Sequence, residues 1–146
     1  METHSLEAFD AEAAAFARTL APRKDSATIV ALSGELGAGK TTFVQAVARA
    51  CGVQESVQSP TFVIMQMYDI APSGTGFARL IHIDAYRLHG AHDIEMLGWK
   101  ELAADPRNLI CIEWPEQVAG AVPETAQKVT LEGDGDSRRI TSGIAH

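Results

Sequence analysis

The stretch Gly34-Glu35-Leu36-Gly37-Ala38-Gly39-Lys40-Thr41 fills every fixed position of the phosphate-cradling pattern G-x-x-x-x-G-K-[ST]. Glycines let the backbone curl around an anion, and consecutive N–H groups then point inward at phosphate oxygens. A helix beginning at Lys40 adds its positive dipole end. Lys40 supplies a mobile charge for the outer phosphates, and the Thr41 hydroxyl can ligate the magnesium ion that accompanies them. The expected ligand is a nucleoside triphosphate.

Three other stretches carry groups suited to the same chemistry. Asn108 to Glu113 is an apolar strand that delivers a carboxylate at its C-terminal end, where open α/β sheets place their ligands. Glu113 is thus suited to hold magnesium opposite Thr41, directly or through a water, although many strands simply end in a solvated acid. His82-Ile83-Asp84-Ala85-Tyr86-Arg87 closes another strand, with His82 and Asp84 on one face because side chains alternate. Asp84 is suited to position an attacking water or to stand behind the magnesium, and Arg87 to neutralise phosphate charge or to pair with Asp84. An internal salt bridge ending the strand is the plainer alternative. His82 and Asp84 as metal ligands would lack the third partner a zinc site needs.

Ser59-Pro60-Thr61 offers a hydroxyl that can feel a terminal phosphate and order its loop, as nucleotide switches do, or it is only a turn. Trp114 follows Glu113 directly. It reads either as a half-buried anchor for the sheet end or as a contact with a partner or nucleotide.

Local elements must place these groups. Ala27 to Ser33 is apolar and partly β-branched, fit for a buried strand, and Lys40 to Cys51 has a helical apolar face in Phe43, Val44, Val47, Ala48 and Cys51 that stops at Gly52. Asp10 is the expected N-cap of an earlier helix with a stripe of Ala13, Ala14, Phe16, Ala17 and Leu20 ending before Pro22, and Met1 to Phe9 carries a weak extended signal. Thr61 to Asp69 and Phe77 to Asp84 read as strands, and their short connection favours an antiparallel hairpin. Ala91 to Ala104 is helical in composition, with Gly98 expected to split it. The tail offers a weak helix at Glu116 to Ala119, then strands Lys128 to Glu132 and Arg138 to Ser142 around the Gly133-Asp134-Gly135-Asp136 turn.

With 146 residues the chain has room for one domain spanning 1–146, large enough to bury a core without staples. Twelve basic against nineteen acidic residues leave a net charge of −7, which argues against broad adhesion to nucleic acid. Cys51 and Cys111 lie far apart in apolar surroundings and read as buried free thiols. No basic-then-apolar leader and no spanning run is visible, so a cytoplasmic protein is expected, away from any membrane.

Missing motifs narrow the chemistry. Without an [NT]-K-x-D element for guanine, ATP is favoured by elimination. After Glu113 the only Lys and Arg residues are Lys128, Arg138 and Arg139, so the basic lid of a small-metabolite kinase is absent. That kinase remains the alternative reading, and a nucleotide-sensing adaptor without useful hydrolysis is a third.

Four motifs in register resemble the bacterial TsaE (YjeE) family: Gly34 to Thr42, Ser59-Pro60-Thr61-Phe62, His82 to Arg87, and Ile112-Glu113-Trp114-Pro115-Glu116. The resemblance covers nearly the whole chain. It implies an α/β, three-layer P-loop fold with a mixed parallel and antiparallel sheet, and a weak magnesium-dependent ATPase. The family serves the threonylcarbamoyl modification of adenosine 37 in tRNAs that read ANN codons, driving turnover of the TsaD and TsaB proteins without transferring the carbamoyl group itself. On this resemblance Glu35, Leu36, Gly37, Ala38, Gly39, Lys40, Thr41 and Thr42 bind ATP. Thr41 and Glu113 hold magnesium, and Lys40, Asp84 and Glu113 serve hydrolysis. Ser59, Pro60, Thr61, Arg87 and Trp114 form the switch and partner side, with tRNA reached through the complex. The tail after Gly120 matches the family poorly; the adenine pocket it would help to form is not assigned, and Arg138 or Arg139 is a candidate there.

Overall fold

The computed structural model describes residues 2–3, 6–35, 39–54, 64–71, 75–134 and 137–144. Along the chain these form β1 (Glu2–Thr3), α1 (Leu6–Arg18), β2 (Thr28–Ser33), α2 (Lys40–Cys51), β3 (Met65–Asp69), β4 (Arg79–Asp84), α3 (Ala91–Glu95), α4 (Trp99–Ala104), β5 (Asn108–Glu113), a 3-10 segment (Pro115–Ala121), β6 (Gln127–Asp134) and β7 (Ser137–Ile144). Leu36, Gly37, Ala38, Ser59, Pro60 and Thr61 lie outside the described residues, as do Gly135 and Asp136 of the tail turn.

The strands join in one sheet of order β1-β7-β6-β2-β5-β4-β3. Its centre is parallel: β2 pairs with β5 and with β6, and β5 pairs with β4. The flanks are antiparallel, with β3 on β4, β7 on β6 and β1 on β7. The mixed sheet and the β3–β4 hairpin follow the expectation from sequence. The placement of β6 beside β2 does not follow from it, because the short tail strands carry no signal for a parallel partner.

Alternation along the central strands divides the core into two layers, as strands buried on both faces require. Val30, Leu32, Leu80, Leu109, Cys111, Val129 and Leu131 face α1 and α2. Ile29, Ala31, Ile81, Ile83, Ile110 and Ile112 pack with Ile94 of α3, Trp99 of α4 and Val118 of the 3-10 segment. Helices on both sides of one sheet make the three-layer α/β architecture.

Helix α1 starts a full turn earlier than Asp10, the expected cap. Phe9 is fully buried and continues the Ala13 and Ala17 stripe upstream, with its ring 6.3 Å from Phe43 of α2. Packing of Phe9 therefore extends the helix, and Asp10 becomes an interior position paired with Arg49 at 3.2 Å. Gly98, with φ 85°, separates α3 from α4 as expected, and Gly52 closes α2 in the left-handed conformation, its N–H donating to Ala48 O and Arg49 O. No described helix is long and apolar enough to cross a membrane.

Candidate functional site

The parallel register brings the chemistry-bearing strand ends together. Glu113 stands opposite Leu32 on one side and Asp84 on the other, so β2, β5 and β4 finish at one edge of the sheet, beside the first turn of α2. Gly39 caps that helix with φ 98°, a left-handed conformation suited to glycine, and its carbonyl accepts the first helical bond from Phe43 N–H at 2.8 Å.

Lys40 opens α2 and is buried. Its Nζ donates to the carbonyls of Gly34 at 2.5 Å and Glu35 at 3.0 Å, and lies 4.1 Å from the ring centroid of Trp114. Burial pulls its pKa below the ordinary lysine value, opposed by the negative charges of Glu113, Glu116 and Asp84. The ammonium thus sits among carbonyl oxygens, an aromatic face and carboxylates, a cationic centre suited to phosphate oxygens.

Thr41 Oγ1 donates to Glu113 Oε2 at 3.1 Å. The two predicted magnesium ligands therefore meet across the gap between α2 and β5. A hydroxyl and a carboxylate are the hard oxygen donors that ion prefers, so the residues fit it. Thr42 follows, half-buried, in the same turn. Asp84 is partly exposed, and its Oδ1 accepts the backbone N–H of Tyr86 at 3.0 Å. That bond shapes the turn after β4. Arg87 is exposed and has no ion pair with Asp84 among the described residues; Asp84 caps the turn instead.

Trp114 is the one non-glycine with positive φ among the described residues, at φ 59° and ψ 50°. Its N–H donates to Leu32 O at 3.2 Å, tying the turn to the phosphate strand. The ring contacts both the Lys40 ammonium and the exposed ring of Tyr86, whose centroid is 5.0 Å away at 55°. Gln117 Nε2 holds Tyr86 O at 2.9 Å, and Ser33 Oγ reaches Glu116 Oε2 at 3.4 Å.

Sequence reasoning missed the partner of His82. Its imidazole is fully buried, with Nε2 2.5 Å from Glu113 Oε2, so His82 serves the neighbouring strand's carboxylate and not the Asp84 on its own strand. The Asp84–Glu113 register creates this diagonal contact, and nothing in either strand alone announces it. Tyr86 and Glu116 were likewise unassigned; the signal available was their place within two residues of Asp84 and Trp114.

Compared with known proteins, residues 6–141 match the family model described as "Threonylcarbamoyl adenosine biosynthesis protein TsaE", so the match runs on through most of the tail after Gly120, contrary to the expectation from the motifs. Relatives named tRNA threonylcarbamoyladenosine biosynthesis protein TsaE include that of Streptomyces coelicolor, 42% identical over 116 residues, covering 79% of this chain and 75% of the relative. The Treponema pallidum protein is 35% identical over 115 residues, covering 79% of this chain and 80% of its own. That of Rickettsia conorii is 35% identical over 144 residues, covering 98% of this chain and 78% of its own. The crystal structure of Bacillus subtilis YdiB matches the fold with a TM-score of 0.76 at 24% identity, over 100% of this chain and 84% of that one.

Proposed function

The chain belongs to the TsaE family, and from that premise we propose that it is a weak, magnesium-dependent ATPase of the tRNA threonylcarbamoyladenosine pathway. In this reading its hydrolysis drives turnover of TsaD and TsaB, which modify adenosine 37, and tRNA is met through that complex in the cytoplasm. The family match gives the small-metabolite kinase no support.

The single observation that carries the reading is the meeting of Lys40, Thr41 and Glu113 where α2 faces the end of β5. Lys40 neutralises charge on the outer phosphates while the backbone from Glu35 to Thr42 cradles them. Thr41 and Glu113 would hold magnesium, which when bound would offset negative charge on the transferring phosphoryl group. Asp84, at the adjacent strand end, orients the water that attacks the γ-phosphorus as the bond to ADP breaks. Ser59 to Thr61, Arg87 and Trp114 make up the side that senses the phosphate and meets the partner.

Slow hydrolysis is what this residue set supports. A P-loop site without a trans-acting arginine turns over at roughly 10⁻⁴ to 10⁻² s⁻¹, and an added cationic finger raises that by orders of magnitude. The test is ATP hydrolysis by the isolated protein and again with TsaD and TsaB added. A slow basal rate that rises with the partners is expected. A rate indifferent to them contradicts the proposal.

A further inference from the structure

His82 stands in a mostly apolar layer, among residues such as Leu80, Leu109 and Cys111. It is paired in register with Cys111 on β5 and Gln66 on β3, follows Leu80 on its own strand, and is 0% exposed. An imidazole costs more to bury than a leucine of similar size, because each polar nitrogen without a partner loses its hydration uncompensated. Its Nδ1 has no hydrogen-bond partner among the described residues. The contact to Glu113 is thus the polar interaction that sets this residue apart from an apolar filler.

Glu113 receives two contacts on one oxygen. The Thr41 hydroxyl and the His82 imidazole both meet Oε2, from α2 on one side and from β4 on the other, and neither engages Oε1. Should the Thr41 hydroxyl turn to a metal ion, the bond from His82 still fixes the carboxylate. We infer that His82 is a positioning residue: its Nε2–H holds Glu113 Oε2 so that the carboxylate meets the magnesium of bound ATP already oriented. The inference rests on the magnesium-ATP reading above. Partners one shell removed from a metal typically matter 10–100-fold in metal affinity, which sets the scale of the effect.

Two amide substitutions separate contact from burial. In His82→Gln the side-chain amide reaches as far as Nε2, whereas in His82→Asn it ends one atom short. Mn²⁺ uptake is followed by electron paramagnetic resonance in the presence of a non-hydrolysable ATP analogue, after nucleotide affinity alone has been measured in EDTA. The wild-type protein with analogue should bind Mn²⁺ more tightly than the analogue does by itself; equality there overturns the magnesium-ATP reading and the inference with it. With that established, His82→Asn should weaken Mn²⁺ about tenfold or more, and His82→Gln should stay within about threefold of wild type. Both should keep their affinity for the analogue in EDTA. Unchanged Mn²⁺ binding in His82→Asn overturns the inference alone, as does an equal loss in both variants, since burial and not contact would then govern.

If either variant fails to fold, ¹⁵N spectroscopy of the wild-type imidazole decides. Nε2 should be the protonated nitrogen facing Glu113 both before and after the metal-analogue complex forms, and a bare Nε2 in that complex contradicts the inference.

Discussion

The Lys40 ammonium rests 4.1 Å above the ring of Trp114, and Trp114 holds that ring in place from a left-handed backbone conformation. Such a conformation costs a bulky residue of order 1–3 kcal/mol. Its N–H bond to Leu32 O and the neighbouring Tyr86 ring help to fix it there. The side chain proposed to meet phosphate is thereby steadied by the residue directly after the candidate magnesium ligand.

Trp114→Ala should therefore lower kcat/KM for ATP, measured with the partners present, by about 2- to 30-fold, the range of a partly buried cation–π contact. Trp114→Phe, which keeps an aromatic face, should lose less. Equal kinetics for the alanine variant and the wild type would show that the ring does not steady Lys40.

The Thr41–Glu113 contact predicts a defect confined to the metal. Glu113→Gln keeps the shape of the side chain but removes its charge, and Thr41→Val removes the hydroxyl. Each should raise the magnesium concentration for half-maximal hydrolysis by about tenfold or more, while calorimetry in EDTA shows nucleotide affinity little changed. A normal magnesium requirement in both variants would remove these residues from the metal site.

Phe43 is fully buried on α2, its ring 6.3 Å from Phe9 and 5.6 Å from Phe16, so it pins α2 to α1. Phe43→Ala should destabilise the fold by about 3–5 kcal/mol in urea unfolding. A loss below about 1 kcal/mol would mean that this face is not packed as described.

Asp105, away from the site, carries a pH signature. Hydrogen bonds from the Arg107 side chain and backbone hold its carboxyl below the ordinary aspartate range, with Arg79 adding its charge at 3.6 Å. Because the folded value lies below the unfolded one, the stabilisation is complete above about pH 4, the unfolded value, and disappears as pH falls through the lowered folded value. Urea unfolding of wild type and Asp105→Asn should show a gap that is constant near neutrality and closes in acid. A gap that widens on acidification would contradict the assignment.

Much of this was legible in the residues because it is local. The phosphate motif, the Gly52 stop, the Gly98 break and the apolar strand ending in Glu113 all follow from side-chain period and backbone freedom. What escaped is set by pairing between distant segments. Phe9 belongs to α1 because Phe43 lies across from it, β6 flanks the phosphate strand without any mark in its own residues, and His82 meets Glu113 through the register of two parallel strands. Ser59 to Thr61 and Leu36 to Ala38 lie outside the described residues, so their roles stay proposals.

The most direct test of the account is tRNA threonylcarbamoylation reconstituted with TsaD and TsaB over several turnovers, with the wild-type protein, without it, and with Lys40→Ala. Lys40→Ala should bind no ATP in a parallel titration, since the charge that meets the phosphates is gone. The account predicts sustained product formation only with the wild-type protein, and a halt near one equivalent per complex in the other two reactions. Undiminished multiple turnover without the protein, or with a Lys40→Ala variant that no longer binds ATP, would contradict it.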